Sequence, residues 1–308
     1  MTKKQHPLKV LIAGWFSFEN MGTTAGDLIA RDLVCRWLQE AQIGYDVAMT
    51  PQFSFPGSLL WQEADPDRYT DVLFVCGPFG NGWPLTDFLA RFSGARITGL
   101  NLSLLQSLDE WNPFTLLYER DSSAAAHPDI TFYAPPPRVP VAGLILVHPQ
   151  KEYGKRALHE QANTAIDRLT RRHEMSIVPI DTALEQNAGG LRTPGEVEAL
   201  IARMDVVLTT RLHGTVLALK NGVPVVPIDP IAGGAKIARQ VHTLEWPLLF
   251  VAGQLDDALL DNAYAYCLTE EARALARSCA LRARHRVEAV RNHLVTDLLH
   301  LRQNPVAI

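Results

Sequence analysis

The segment Thr209-Thr210-Arg211-Leu212-His213-Gly214-Thr215 sets a guanidinium and an imidazole two residues apart, with hydroxyls on either side. An arginine fork grips a carboxylate or phosphate through two bonds. An imidazole, with an ordinary pKa of about 6.5, trades protons near neutral pH. Thr210 and Thr215 offer neutral donors. The set suits a small anion. The plain alternative is that Thr210 caps the next helix and Arg211 pairs with a surface carboxylate.

Other polar residues fall at the ends of apolar runs. Asn20, Gly22, Gly26 and Asp27 make a polar loop in which Asp27 is either a base, a ligand for a sugar hydroxyl, or a helix cap. Gly77, Gly80 and Gly82 alternate with Phe79, Asn81 and Trp83; Trp83 either stacks on a sugar face or covers a core, and the second is favoured slightly. His148 follows an apolar run, next to Pro149, and is either an anion contact or a strand-ending turn. Gly233-Gly234-Ala235-Lys236 has the look of a loop-to-helix phosphate site with a cation.

The elements that position these groups follow from periodicity. Residues 9–16 and 71–76 read as buried strands, with 45–50, 95–105 and 130–133 as further strands and 27–42 as a helix with one apolar face. Residues 134–140 (APPPRVP) carry four prolines, which neither a helix nor a central strand accepts, and read as a linker. The alternation then restarts: strands at 141–147, 175–180, 205–210 and 223–228, helices at 155–173, 194–204 and 213–220. Continuous apolar strands separated by helices imply parallel sheets covered on both faces. The expected fold class is α/β: two Rossmann-like domains facing a cleft, over 1–138 and 139–268, with C-terminal helices over 269–308. Residues 270–304 hold neither Gly nor Pro, with apolar residues every three or four positions, so one face must dock on something. In such a fold Arg211 and His213 stand at the carboxyl end of a parallel strand, beside a helix N-terminus, where ligands bind.

Arg211-Leu212-His213 on a strand-to-helix turn, followed by a helix and Gly222-Val223-Pro224-Val225-Val226-Pro227-Ile228-Asp229, resembles the polysaccharide pyruvyl transferase family. Residues 14–27, the glycine-rich 75–82 and Glu119-Arg120-Asp121-Ser122-Ser123 are similar to other family elements in the same order. The resemblance implies a fold like that of the two-domain GT-B glycosyltransferases. It implies transfer of the pyruvyl group of phosphoenolpyruvate, a co-substrate, to saccharide hydroxyls, usually as a ketal. By resemblance Arg211 and His213 bind the donor; position and residue type add Leu212, Thr210, His148, Lys236, Asn20 and Gly80 as substrate contacts, with His213 and Asp27 as the catalytic candidates. Two positions depart from the family: an arginine usual on the His148 turn is absent, and Pro135-Pro136-Pro137 stands where an aspartate is usual. The first domain would take the acceptor and the second the donor.

Composition narrows the rest. The 308 residues carry 29 Lys+Arg and 33 Asp+Glu, a formal charge of −4, which disfavours a general nucleic-acid binder. The 47% apolar and 20% charged residues are those of a globular protein with sizeable cores. Four scattered cysteines and ten histidines without ligand spacing point to no metal and no further cofactor. Without a signal sequence or membrane span, a cytoplasmic protein is expected, with a homo-oligomer open. Two other readings stay open: a nucleotide-sugar-dependent glycosyltransferase on the same architecture, and a non-catalytic relative that binds an anionic metabolite.

Overall fold

The computed structural model describes residues 8–121, 126–136, 138–147, 151–185 and 187–303. The chain forms two compact units that divide between residues 137 and 138, inside the proline-rich stretch. Both are α/β, as the sequence reading required.

The first unit holds six parallel strands: β1 (Lys9–Gly14), β2 (Gly44–Ala48), β3 (Ser58–Leu59), β4 (Asp71–Phe79), β5 (Arg96–Leu104) and β6 (Leu116–Asp121). Their spatial order is β3-β2-β1-β4-β5-β6, so the direction of winding reverses between β1 and β4. There Ile12 pairs with Leu73 and Gly14 with Val75. The unbroken apolar run of β1 follows from burial on both faces: Leu11 and Ala13 enter one core cluster, Val10 and Ile12 the other. Helix α1 (Ala25–Glu40) buries Leu33 and packs Ala30 and Val34 into the second cluster, and α2 (Leu85–Arg91) packs Leu85 and Phe88 into the first.

The second unit has strands β7 (Val141–Ile145), β8 (Ser176–Pro179), β9 (Val206–Thr209), β10 (Val225–Asp229) and β11 (Phe250–Val251), all parallel. Their order is β11-β10-β9-β7-β8, with the reversal between β7 and β9. Its helices are α3 (His159–Arg172), α4 (Pro194–Ile201), α5 (Leu212–Lys220), α6 (Lys236–Leu244), α7 (Asp257–Cys267) and α8 (Glu270–Gln303). Thr193 caps α4 and accepts from the Glu196 backbone, with Pro194 at the first helical position.

Several expectations need correction. Residues 130–133 are a 3₁₀ turn, not a strand: Asp129 accepts from the Thr131 backbone and starts the turn. The strand at that end of the sheet is β6, whose sequence LLYERD is too polar to stand out. The helix expected over 155–173 begins only at His159, with Leu158 at the N-cap position; the residues before it form a 3₁₀ segment, Lys151–Arg156, broken within by Gly154 (φ 47°). Helix α8 is continuous from Glu270 to Gln303, and Ala272, Ala276 and Cys279 pack into the second unit's core. All four cysteines are free thiols, and Cys76, Cys267 and Cys279 are buried. Among the described residues no helix is long and apolar enough to cross a membrane.

Candidate functional site

Each sheet carries pockets at its point of reversal, where the first loops of two oppositely wound halves part and ligands of open α/β sheets bind. In the second unit the pocket lies beyond the ends of β7, β9 and β10. It has a volume of about 190 Å³ and is walled by Thr210, Arg211, Leu212, His213, Asp229 and Lys236, with Val147 and Tyr153 also present.

The turn between β9 and α5 is stitched to the sheet by its two threonines. Thr209 Oγ1 donates to the Ile145 carbonyl at 2.7 Å and accepts from the Arg211 backbone at 3.0 Å. Thr210 Oγ1 accepts from the Val147 backbone and donates to Asn163 Oδ1, both at 2.9 Å. That commits the Thr210 proton inside the protein, so its expected role as a donor to substrate is corrected: it positions the turn. Nor does it cap α5. Arg211 occupies the N-cap position, with no side-chain cap. Gly214 is required one turn on, since a Cβ there would stand 2.2 Å from Thr209 Oγ1. The missing side chain lets the start of α5 press onto the strand end.

Arg211 is largely buried, and its Nη1 donates to Asp181 Oδ1 at 3.0 Å. Asp181 follows β8 and is held in turn by the Ala183 backbone at 2.8 Å. The fork is therefore braced on one side while the residue still walls the pocket. His213 is exposed in the first turn of α5. Among the described residues nothing accepts from the backbone N–H groups of Leu212, His213 or Gly214, the usual orphan donors of a helix start.

The neighbouring helix start is different. Asp229, 1% exposed, accepts from Ile231 at 3.1 Å through Oδ1, and from Ala235 at 2.7 Å and Ala238 at 3.0 Å through Oδ2. The chain's own carboxylate already fills the N-terminus of α6. The phosphate cradle expected at Gly233-Gly234-Ala235 is thereby corrected: the backbone donors an anion would need there are already bound to Asp229. Lys236 remains a pocket cation, its Nζ 5.4 Å from the Tyr153 ring centre. His148 lies outside the described residues.

In the first unit two pockets share Trp15 and Pro78 as a wall. One, about 480 Å³, is lined by Gly22, Thr24, Asp27, Gly77 and Arg120, and lies at the β1/β4 reversal. The other, about 230 Å³, is lined by Gly80, Asn81, Gly82, Trp83 and Gln106. Trp83 is 74% exposed, which corrects its reading as core cover. The Trp15 indole donates to the Pro78 carbonyl at 2.9 Å and lies where a Cβ on Gly77 (φ +85°) would be, only 1.8 Å from the ring. Asp27 is the third residue of α1, with Thr24 as cap. Its Oδ2 accepts from the Thr24 backbone at 2.8 Å and hydroxyl at 2.7 Å, while Oδ1 takes no bond from the described residues. Asp27 thus both caps the helix and faces the pocket. Asn20 sits in an exposed turn with φ 58° and is not part of this lining.

Arg120 reaches the same pocket from β6. It donates to Asp129 at 2.9 Å and Ser103 at 2.5 Å, and Asp121 lies 3.5 Å away. Burial pushes the Asp129 carboxyl up, but bonds from the Thr131 backbone and hydroxyl, Arg120 and Asn101 outweigh it and hold the pKa at about 2. Asp129 and Asp181, the two carboxylates that brace the arginines, escaped the sequence reading. A spacing of 9 and 30 residues leaves no motif. Cys76 and Asn101 face each other across β4 and β5, both left-handed (φ 65° and 59°), and the Asn101 amide donates to Cys76 Sγ at 3.0 Å. Burial pushes that thiol up to about 11, against the pull of the Asn101 bond.

Residues 123–230 match the family model described as polysaccharide pyruvyl transferase, so the resemblance read from the sequence is borne out over that stretch. No curated protein matches the chain by sequence. Among solved structures it is similar to the calicheamicin glycosyltransferase CalG4 (14% identity over 92% of this chain and 98% of that one, TM-score 0.33). It is also similar to the UDP-GlcNAc 2-epimerase of Methanocaldococcus jannaschii (11%, 91% and 99%, 0.31) and to MurG of Acinetobacter baumannii (11%, 91% and 95%, 0.29).

Proposed function

We propose that the chain is a saccharide-modifying transferase that moves the pyruvyl group of phosphoenolpyruvate to hydroxyls of a saccharide or glycoconjugate. The observation that carries this reading is Arg211, braced by Asp181 at the open start of α5, across a small pocket from Lys236. The family match over residues 123–230 supports it.

The chemistry asks for an acid, a base and a clamp on the leaving phosphate. Protonation of the donor's methylene carbon leaves an oxocarbenium-like centre at the neighbouring carbon. A sugar hydroxyl adds there and yields its proton to a base. The carbon–oxygen bond to phosphate then breaks, and a second hydroxyl closes the ketal. Arg211, Lys236 and the N–H groups of residues 212–214 hold the acidic groups of the donor. His213 gives or takes the proton at the pocket rim. The acceptor is assigned to the first unit's pockets, with Asp27 as base and the Trp15 and Trp83 faces for the sugar ring. Gly80 lines one of those pockets, and the turn that carries Asn20 lies outside their lining.

Calorimetric titration with phosphoenolpyruvate, UDP-sugars and GDP-sugars tests the assignment. Phosphoenolpyruvate is expected to bind, and to release inorganic phosphate once a suitable saccharide is added. Binding of a nucleotide sugar with no response to phosphoenolpyruvate overturns it in favour of glycosyl transfer.

A further inference from the structure

The two long cations of the second unit's pocket are held in different ways. Arg211 pairs with Asp181 at 3.0 Å. Among the described residues Lys236 pairs with no carboxylate, and its Nζ lies 5.4 Å from the centre of the Tyr153 ring. Asp229, the acid on the same wall, commits both oxygens to the backbone of residues 231, 235 and 238. A ring acts on an ammonium otherwise than a carboxylate does. A carboxylate would hold it and cancel its charge. An aromatic face attracts it through the ring quadrupole and leaves the charge whole, with N–H donors still free to meet a ligand.

The ring is itself fastened. Tyr153 belongs to the 3₁₀ segment Lys151–Arg156, and the chain from that segment into α3 is clipped to the loop that leads to Lys236. Leu158 donates its backbone N–H to the Pro230 carbonyl at 2.8 Å, and Ala232 donates to the Arg156 carbonyl at 2.9 Å. The Arg156 guanidinium adds bonds to the carbonyls of Ala232, at 2.9 Å, and Gly234, at 3.3 Å. Ring and ammonium therefore hang from two loops bonded to each other, and both residues line the pocket.

We propose that Tyr153 is a positioning residue for the donor: it holds the Lys236 ammonium at the pocket wall without neutralising it. The inference rests on the reading that this pocket takes the acidic donor. A free lysine side chain samples many rotamers, and ordering it on binding costs affinity. A ring that orders it beforehand removes part of that cost. The two cations then divide the work. Arg211, braced by Asp181, is the oriented fork, and Lys236 is the uncompensated charge that draws a dianion.

Two measurements on the full chain test this, the first without the donor. With the lysines converted to isotopically labelled dimethyl-lysine, the Lys236 NMR signal, assigned through Lys236→Arg, is expected upfield because of the Tyr153 ring current. It should keep that place in Tyr153→Phe and lose it in Tyr153→Leu. Calorimetric titration with phosphoenolpyruvate then reads the consequence. Tyr153→Phe should bind as the wild type does, and Tyr153→Leu about 2–5-fold more weakly. Tyr153→Glu, which supplies a neutralising carboxylate, should bind more weakly still. In a Lys236→Ala background Tyr153→Leu should change nothing further, which a merely structural role for the tyrosine would not give. An unshifted Lys236 signal overturns the proposal, as does equal or tighter binding in Tyr153→Leu. So does a loss in Tyr153→Phe as large as in Tyr153→Leu, or a loss that persists without Lys236. A shifted signal in a wild type that does not bind phosphoenolpyruvate overturns the donor reading, and the role proposed for Tyr153 with it.

Discussion

Replacing Arg211 with alanine tests the donor pocket where its geometry is most explicit. On the proposed reading, phosphoenolpyruvate at 100 times its dissociation constant should add about 2.7 kcal/mol to the stability of the wild type. The guanidinium supplies charge-assisted hydrogen bonds worth about 2–3 kcal/mol in all, so its loss weakens binding about 30–150-fold. At the same ligand concentration the stabilisation falls to about 0.3–0.9 kcal/mol. For a unit of this size each kcal/mol is about 2–4 °C. The ligand-induced rise in melting temperature thus drops from about 5–11 °C to about 1–4 °C. Each variant is compared with its own ligand-free baseline, because removing Arg211 also removes an ion-pair partner of Asp181, whose side chain is only 14% exposed. Asp181→Asn separates the two effects: it keeps the guanidinium, loses the brace, and is expected to give an intermediate shift. An Arg211→Ala shift equal to the wild type's refutes the pocket.

Other outcomes follow from single contacts. Gly214→Ala sets a Cβ against Thr209 Oγ1 and should cost about 1–3 kcal/mol in denaturant unfolding, with donor affinity falling alongside. Thr209→Val removes the hydroxyl shared by Ile145 and Arg211, an expected loss of about 1–2 kcal/mol by the same measurement. Trp83→Ala should change stability by less than about 0.5 kcal/mol yet weaken the quenching of tryptophan fluorescence by an accepted saccharide, with Trp15 retaining the remainder. Asp129 has a folded pKa of about 2, below its unfolded value of about 3.9. Its contribution is therefore full above pH 4 or so and is lost as pH falls toward about 2. Thermal unfolding across that window should show a shallower acid loss in Asp129→Asn.

What could be read from the sequence depended on how deeply each segment is buried. DVLFVC and DVVLTT announce β4 and β9 because both faces of those strands are covered, which forces an unbroken apolar run. LLYERD hides β6, an edge strand whose polar residues Glu119 and Arg120 break the pattern. Residues 130–133, ITFY, have strand-like composition, but the Asp129 carboxylate at the preceding position bends them into a turn. Arg211 and His213 were legible by position, since a buried strand runs into them and a helix out. Their surroundings were not. Asp181 reaches Arg211 across the sheet from β8, and Asp229 folds back on its own loop, so neither leaves a local trace.

Asp229 has one more bearing on the chemistry. Two helix mouths open side by side in the second unit, and the protein stoppers one of them with its own acid. On the proposed reading a small dianion meets a lopsided berth: free backbone N–H groups at α5, and at α6 the Lys236 ammonium alone, because Asp229 has taken the backbone donors. On that reading the anion is seated toward α5, and its exposed face is set before any acceptor arrives.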